Sequence, residues 1–381
     1  MPSVILPIVG AALFGYLLNR ILIRLSHRLG RLNPGEQKQI RWASHSKPLV
    51  GGITFYITFL IAGATAVFMP GGGQAAFFEG FGALMLVSTL GFLIGLADDA
   101  YETRPFLKFL GQFLCGAVLV GFGVTINLTG FWPADAALTV FWTVGIMNSV
   151  NMLDNMDAVT GTVAATIIFV AISVWTALRI NYTLEYYVYA AIFGSIVGFL
   201  VLNWNPSKLY MGDTGSQFLG AFLAYLGIRM FWNQPYTSAE GDGLILRQGL
   251  LAALAFLVPI MDTTFVTVVR LSKGKSPFVG GRDHTTHHLS YLGVPDKFVP
   301  VIMGATSVLS GGLAAFAILA VANWSVEYVW LFGGYVAVVF GLFVYLYRKG
   351  AANLKLRNLT SKAQALSSVA ETSKTPAYSN R

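Results

Sequence analysis

Long apolar stretches alternate with short polar segments along most of the sequence. A helix needs roughly 17–25 apolar residues to cross a bilayer, and ten stretches have this length. They cover residues 3–23, 49–69, 80–97, 107–127, 161–179, 186–203, 215–233, 248–269, 298–321 and 327–347. A shorter run covers 136–147. This pattern predicts an all-α, polytopic integral membrane protein. Because no basic segment or cleavage site precedes the first stretch, we expect it to be retained as a span.

The basic residues decide whether the short run at 136–147 crosses the membrane. Lysine and arginine concentrate in cytoplasmic loops. If the run crosses, 22 of the 25 basic residues fall on one side, and only Arg179, Arg229 and Arg247 lie opposite. If it does not cross, the split becomes 12 to 13. The sequence therefore predicts about eleven transmembrane helices, with the N-terminus outside and the C-terminus in the cytoplasm.

Composition narrows the class of protein further. Only 11% of the 381 residues are charged and 55% are hydrophobic, whereas a soluble domain carries about 25% charged residues. This excludes an ordinary soluble enzyme, a nucleic-acid-binding domain and a disordered protein. The net charge of +8 is explained by basic cytoplasmic loops, so the expected partner is the lipid bilayer and not a nucleic acid. The single cysteine, Cys115, lies in an apolar run and is expected to serve packing.

The chain divides into two predicted parts. Residues 1–350 form a membrane domain whose functional loops face the cytoplasm, and 351–381 form a basic, Ser/Thr/Ala/Lys-rich tail that we expect to be disordered. The charges of the tail either contact anionic lipid headgroups or belong to a solvated end that follows the charge rule. The sequence does not indicate the oligomeric state, so a homodimer stays open.

Acidic residues gather at the predicted cytoplasmic ends of the spans. Asp98 and Asp99 end one span, and Lys108 and Gln112 follow in the next. Adjacent carboxylates at a membrane face repel each other, so they usually hold a cation or titrate. Magnesium suits this role because it takes hard oxygen ligands and keeps water and phosphate in its shell. The alternative is a solvated span end.

A second acidic segment begins at Asn151. Asn151, Asp154 and Asp157 are each three residues apart, a spacing that brings them near one helical face or into one tight loop. They are candidates to converge on one ligand. The alternative is an Asx-rich turn between two spans, in which Asp157 caps the following helix.

A third segment runs from Asn203 to Ser216 and contains Gly212, Asp213 and Gly215. Glycines on both sides of an aspartate allow close backbone approach, and free amides at a helix start can bind phosphate. The alternative is a Gly-Asp turn with a hydroxyl cap. The segment is not a Walker A motif, so ATP hydrolysis gains no support.

A fourth segment, 270–288, combines basic residues with Arg282, His284 and His287. A basic loop with histidines suits a nucleoside diphosphate or another polyphosphate. The basic residues alternatively follow the positive-inside rule, and the histidines alternatively bind zinc, although no HExxH motif is present. Upstream, Asp262 lies inside a span, where a carboxylate is functional by default or pairs with a base.

Together these segments resemble the polyprenyl-phosphate N-acetylhexosamine-1-phosphate transferases, more closely their WecA-like branch than the MraY-like one. The resemblance runs from about residue 45 to 289. Two positions differ from the family pattern. Asn155 follows Asp154 where the family has glycine, and Thr286 stands where the family's histidine run has its middle member. The motifs of this sequence that carry the resemblance are HSKPLVGG, GLADD, NMLDNMD, MGDTGS, PIMD and the SPF…DH..H loop.

The resemblance implies an eleven-span fold with a cytoplasmic active site in the inner (plasma) membrane. It implies transfer of N-acetylhexosamine 1-phosphate, with GlcNAc first, from a UDP-sugar to undecaprenyl phosphate, releasing UMP. This reaction would begin a cell-envelope glycan pathway such as cell-wall or lipopolysaccharide synthesis. The alternative donors are UDP-MurNAc-pentapeptide and a modified UDP-N-acetylhexosamine.

The same resemblance assigns roles to the candidate residues. The expected metal is Mg²⁺, with Mn²⁺ as the alternative, held by Asp213 and Asp154 with Asp157 close by. Asp98 and Asp99 are expected to deprotonate or orient the lipid phosphate. The expected substrate-binding residues are Lys47, Lys108, Asn151, Asn203, Arg282, His284 and His287.

An ion-coupled transporter is the alternative from another class. Transporters tend to place coupling residues near the bilayer midplane, whereas here the acidic residues lie at one face and Asp262 alone lies deeper. A membrane scaffold would not need Asp-rich loops. The sequence therefore favours the transferase.

Overall fold

The computed structural model describes residues 2–28, 47–68, 80–178, 184–233, 244–276, 281–321 and 323–372. Within these ranges every regular element is a helix, and a single parallel bridge joins Leu49 to Tyr210. The first residues of the HSKPLVGG motif, part of the basic loop (277–280) and the end of the predicted tail (373–381) lie outside the described residues. The helices are α1 (Pro2–Arg28), α2 (Gly51–Val67), α3 (Gly82–Tyr101), α4 (Pro105–Gly121), α5 (Trp132–Leu153), α6 (Val159–Ala177), α7 (Leu184–Asn203), α8 (Gly212–Gly227), α9 (Leu244–Ala255), α10 (Leu257–Ser272), α11 (Thr285–Tyr291), α12 (Val299–Ala320) and α13 (Val326–Thr372).

Each apolar stretch of the sequence corresponds to a helix, except that residues 248–269 cover parts of two helices, α9 and α10. Seven helices in the described ranges are long and apolar enough to cross a membrane, and α9 with α10, which meet at an 86° bend, would make an eighth span. Helices α2 and α4 are apolar but shorter. The run at 136–147 lies inside α5, which has 22 residues. The prediction of a helical, polytopic membrane protein is confirmed, while the count of eleven and the orientation stay predictions.

Helix α8 lies at the centre of the bundle. It packs against α2, α3 and α5, and every one of its residues except Asp213 is buried. A helix that is apolar on all sides is stable only when other helices surround it. The aspartate at its start is therefore the one point where α8 reaches the surface of the bundle.

Glycines allow α3 to approach α8 closely. A Cβ atom on Gly91 would lie 2.7 Å from both the Ala221 side chain and the Gln217 carbonyl oxygen, and one on Gly95 would collide with the Asp213 carbonyl. Small residues four apart are a common device for close helix contact in membranes. Because of this contact, the last turn of α3 lies directly beside the first turn of α8.

The last helix is longer than the sequence predicts. Helix α13 continues to Thr372, so residues 351–372, expected to be disordered, are helical. The physical reason is local propensity, because Ala, Leu, Lys and Gln favour helix and neither glycine nor proline occurs between Gly350 and Pro376. The division into two domains stays a prediction.

The substitution Gly95→Ala tests the contact between α3 and α8. The added methyl group collides with backbone and cannot move aside, so we expect a loss of stability of about 1–3 kcal/mol, measured as a lower thermal unfolding temperature in detergent. The control is Gly145→Ala in α5, where a Cβ meets no atom within 4 Å. Equal unfolding temperatures for the two variants would contradict the close contact.

Candidate active site

Lys108 joins the ends of four helices. Its Nζ, near the start of α4, donates to Asp98 Oδ2 on α3 at 2.7 Å, to Asn151 Oδ1 on α5 at 3.0 Å and to Asp213 Oδ1 on α8 at 3.5 Å. Asn151 Nδ2 also donates to Asp213 Oδ1 and, at 2.8 Å, to Ser216 Oγ. The side chains of Lys108, Asp98, Asn151 and Asp213, the Lys108 cluster, lie at one end of the bundle and are partly exposed. The structure thus brings together residues that the sequence places in separate motifs.

Asp98 is held on both carboxylate oxygens. Its Oδ1 accepts hydrogen bonds from the Thr103 amide at 3.0 Å and the Thr103 hydroxyl at 2.5 Å, while Oδ2 accepts from Lys108. The turn after α3 supplies this threonine, since Glu102 adopts a left-handed conformation with φ 48° and redirects the chain. The orientation of Asp98 is therefore fixed by its own turn.

Asp99 caps the start of α8. Its Oδ1 accepts from the Asp213 amide at 2.9 Å, and its Oδ2 accepts from the Thr214 amide at 2.8 Å and the Thr214 hydroxyl at 2.6 Å. The first amides of a helix lack partners within the helix, and the helix dipole favours a negative charge there. Gly212 has φ +72°, and a side chain at this position would collide with the Asp99 carboxylate. Asp99 therefore positions Asp213.

Asp157 belongs to a separate ion-pair network. It accepts hydrogen bonds from the Asn205 side chain at 2.9 Å and from the Ser207 amide and hydroxyl at 3.1 and 2.8 Å. Lys47 Nζ lies 3.9 Å from Asp157 and donates to Ser207 Oγ at 2.8 Å. Within the part of the chain that the structure describes, the hydrogen bonds and ion pairs of Lys47 and Asp157 belong to this network and not to the Lys108 cluster.

Asn203 ties two loops together. Its Oδ1 accepts from the Ala158 amide at 2.9 Å, and its Nδ2 donates to the Leu209 carbonyl at 2.8 Å. The side chain is buried, and each of its polar ends already has a backbone partner. This geometry supports a structural role, namely holding the segment before Asp213 against the segment that contains Asp157, rather than the substrate-binding role expected from the family.

Asp154 follows the last residue of α5 and is half-buried. Within the described residues, no group of three or more histidine, cysteine, aspartate and glutamate side chains is arranged to hold a metal ion. The assignment of Asp154 and Asp213 as joint metal ligands therefore stays a prediction.

The histidine helix α11 is anchored by Asp262, which the family assignment did not include among the site residues. Asp262 is fully buried in α10, and it accepts from the Thr285 amide and hydroxyl at 2.9 and 2.6 Å and lies 2.8 Å from His284 Nδ1. An aspartate at Nδ1 fixes the orientation of the imidazole ring. The sequence signal for this contact is the lone carboxylate inside an apolar span.

His287 is buried on the same helix. Burial, together with the neighbouring His284, lowers the pKa of His287 to about 3. At neutral pH this ring carries no charge, so it can offer hydrogen bonds to a substrate but not a cationic contact to phosphate. Next to it, the Thr286 hydroxyl donates to Asn155 Oδ1. The two positions that differ from the family pattern thus contact each other.

Arg282 is exposed and lines a cavity between the end of α10, α11 and α13. Beside it, Asp283 lies 3.6 Å from Arg270 Nε and 3.4 Å from Lys273 Nζ. Burial raises the pKa of Asp283, but the two cations lower it by more, so the net shift is downward and the carboxyl group stays ionised.

Sequence reasoning missed a buried amide chain beneath the Lys108 cluster. Gln112 Nε2 donates to Gln217 Oε1 at 3.1 Å, and Asn148 Nδ2 donates to Gln112 Oε1 at 2.7 Å. These side chains link α4, α5 and α8 directly below the cluster. Polar residues inside apolar spans were the available signal.

The substitution Asp99→Ala tests the capping role. It leaves two helix amides and a hydroxyl without their partner, so we expect a stability loss of about 1–3 kcal/mol, measured by thermal unfolding in detergent. Thr214→Val is the matched control, because it removes only the hydroxyl bond and should cost less. An Asp99→Ala protein as stable as the unchanged one would contradict the assignment.

Comparison with known proteins identifies the family of this chain. The profile of glycosyl transferase family 4 matches residues 81–231. The chain is 30% identical over 305 residues to a phospho-N-acetylmuramoyl-pentapeptide-transferase of Bacillus cytotoxicus, covering 72% of this chain and 85% of that protein. It is 26% identical over 302 residues to a Bacillus subtilis protein described as a probable undecaprenyl-phosphate N-acetylglucosaminyl 1-phosphate transferase, covering 74% of this chain and 76% of that protein.

A third relative extends the same picture. The chain is 29% identical over 267 residues to a decaprenyl-phosphate N-acetylglucosaminephosphotransferase of Mycolicibacterium smegmatis, covering 65% of this chain and 66% of that protein. The fold and site define a polytopic helical membrane protein with a carboxylate–lysine cluster at one end of its bundle. The chain belongs to glycosyl transferase family 4, which confirms the family predicted from the motifs.

Proposed function

We propose that the protein transfers N-acetylhexosamine 1-phosphate from a UDP-sugar to undecaprenyl phosphate at the cytoplasmic face of the plasma membrane. A phosphate oxygen of the lipid forms a new bond to the β-phosphorus of the donor. The bond between that phosphorus and the bridging oxygen breaks, and UMP leaves. The products are undecaprenyl-diphosphate-sugar and UMP.

The observation that carries the proposal is the Lys108 cluster. Four helix ends converge on it, and it lies at the end of the bundle where a lipid phosphate and a water-soluble donor can meet. Phosphoryl transfer requires little covalent chemistry from a protein and depends on positioning and on neutralising the charge of the phosphates. Lys108 supplies one positive charge close to where the substrates would bind.

The charge of this region favours a divalent cation. Asp98, Asp99 and Asp213 contribute three carboxylates, and Lys108 contributes one ammonium group. The formal net charge of these four groups is therefore −2. Carboxylate and amide oxygens are the ligands that Mg²⁺ takes, and Mg²⁺ needs few of them because it retains water and binds substrate phosphates. Asp213 and Asp154 are the proposed ligands, and the ion would supply charge neutralisation at the phosphates.

The contacts suggest how the carboxylates divide their work. Asp99 already accepts three hydrogen bonds from the start of α8, so it fits a positioning role better than that of a base or nucleophile. Asp98 shares Lys108 with Asp213 and is the better candidate to orient the lipid phosphate. Asp262 would hold His284 in one orientation toward the donor. These roles favour direct attack by the lipid phosphate over a covalent aspartyl intermediate.

The names of the relatives are compatible with two classes of donor sugar. Those compared above are named for transfer of N-acetylglucosamine phosphate or of phospho-N-acetylmuramoyl-pentapeptide. We propose UDP-GlcNAc as the donor because the histidine loop is more similar to the WecA-like branch. The ion-coupled transporter receives no support from Asp262, since His284 and Thr285 already occupy both of its carboxylate oxygens.

The direct test is an assay of the detergent-solubilised protein with undecaprenyl phosphate, Mg²⁺ and a panel of UDP-N-acetylhexosamines and UDP-MurNAc-pentapeptide. We expect UMP release with UDP-GlcNAc, lost when EDTA is added and restored by excess Mg²⁺. Release from UDP-MurNAc-pentapeptide alone would correct the donor. Absence of release with every donor, from folded protein supplied with lipid, would contradict the transferase.

The substitution Asp213→Asn tests the site within this assay. Loss of the carboxylate removes the proposed metal ligand, so we expect UMP release to fall at least about 100-fold with an unchanged unfolding temperature. The matched control is Asp296→Asn, an isosteric change at a residue that bonds Ser290 at 2.6 Å in another turn and should retain activity. Activity of Asp213→Asn equal to that of the control would remove Asp213 from the metal site.

A further inference from the structure

The cavity that Arg282 lines is on the far side of α11 from the α5–α6 turn. It has a volume of about 380 Å³ and is formed by the end of α10, by α11 with the residues before it, and by α13. Thr286 on one face of α11 contacts Asn155 in the α5–α6 turn, whereas the His288 ring lies 3.8 Å from the Tyr347 ring on α13. Residues two apart on a helix point in nearly opposite directions. The cavity therefore lies on the face of α11 that is turned away from Asn155.

The lining of this cavity is amphipathic. Its charged residues are Lys273, Arg282 and Lys355, against the single carboxylate of Asp283. Besides Lys355, helix α13 contributes apolar or aromatic residues to the lining: Tyr347, Ala351, Leu354 and Leu359. Such a lining suits a ligand with an anionic group at one end and hydrocarbon at the other.

His288 adds a polar position at the base of the cavity. Its side chain is 4% exposed, and its Nδ1 has no hydrogen-bond partner in the part of the chain that the structure describes. Burial lowers the pKa of His288 to about 4, so the ring is neutral at pH 7 and can exchange a hydrogen bond with a hydroxyl group. A buried ring nitrogen without a partner is uncommon in a folded protein, and a bound ligand would satisfy it.

The position of the cavity at the end of the last predicted span favours a lipid as its ligand. Tyr347 lies at the end of the last predicted span, and tyrosine is enriched where a bilayer meets water. Leu354 and Leu359 follow on the same helix, and Leu359 is 56% exposed although it is apolar. Basic residues immediately beyond a membrane helix attract anionic headgroups. A small soluble anion would gain nothing from contact with the apolar side chains of the lining.

We propose that this cavity binds the headgroup of an anionic phospholipid of the phosphatidylglycerol type. The phosphate lies among Lys273, Arg282 and Lys355, a glycerol hydroxyl contacts His288, and the acyl side lies along Leu354 and Leu359. The lipid holds α13 against α11 and so stabilises the histidine helix from behind. The proposal does not depend on the transferase activity.

The test is native mass spectrometry of the full chain released from mixed phosphatidylcholine and phosphatidylglycerol micelles. The unchanged protein is expected to retain phosphatidylglycerol preferentially. Lys355→Glu reverses one charge in the cavity and should weaken this retention about tenfold. Lys349→Glu is the matched control, because it makes the same charge change on the same helix outside the cavity lining and should behave as the unchanged protein.

A second variant separates the cavity from surface charge in general. Ala351→Phe fills the cavity and leaves every charge in place, and it too should reduce retention while the protein stays folded by thermal unfolding. Equal retention by Lys355→Glu and the unchanged protein would overturn the proposal, as would an equal loss in Lys349→Glu. If inorganic phosphate or glycerol 3-phosphate displaced the lipid completely at equal concentration, the site would be one for soluble anions and the lipid assignment would be wrong.

Discussion

The carboxylate of Asp99, held against the first amides of α8, is the contact on which the arrangement of the site depends. It exists only because Gly91 and Gly95 let α3 approach α8 at backbone distance and because Gly212 leaves room for the carboxylate. The first amides of the buried helix α8 lack partners within the helix and need an acceptor. One interaction thus satisfies the helix start and fixes Asp213 beside Lys108.

The need to pair partly buried charges explains the positions of the remaining charged residues. Three carboxylates at this end of the bundle each lie beside a lysine: Asp98 contacts Lys108, Asp157 contacts Lys47, and Asp283 contacts Lys273. Partly buried charges are costly unless they are paired and hydrogen-bonded. Around Asp213 the charges do not balance, because Asp213 shares Lys108 with Asp98 and the neighbouring Asp99 accepts from helix amides and a hydroxyl. An excess at a point where four helix ends converge is what a site for a metal ion and phosphates requires.

Much of this organisation is visible in the sequence. Apolar stretches predict the long helices of the bundle because a bilayer imposes a length and a composition, and the short run at 136–147 falls inside a helix of 22 residues. The carboxylates of the site are recognisable for the same reason, since charge is rare in such a chain. The polar network is less visible, because the pairing of Asn155 with Thr286 and the capping of α8 by Asp99 join residues more than a hundred positions apart.

For two predicted site residues, the surroundings add information that a linear pattern does not contain. Asn203 reads as a ligand-binding amide, yet its oxygen and nitrogen are both used by backbone groups of neighbouring loops. His287 is expected to bind substrate, and burial makes it a neutral ring that can offer hydrogen bonds but no cationic contact. In both cases the residue type is compatible with two roles, and only its surroundings distinguish them. Asp154 and the choice of sugar stay at the level of prediction.

The central claim is that Asp213, positioned by Asp99, marks the point where a divalent cation meets the phosphates. The most direct measurement is an experimental structure of the protein with Mn²⁺ and UMP, in which anomalous scattering locates the ion. The account predicts one peak at coordination distance, about 2.0–2.2 Å, from a carboxylate oxygen of Asp213. A peak among the histidines of α11, with none at Asp213, would contradict it.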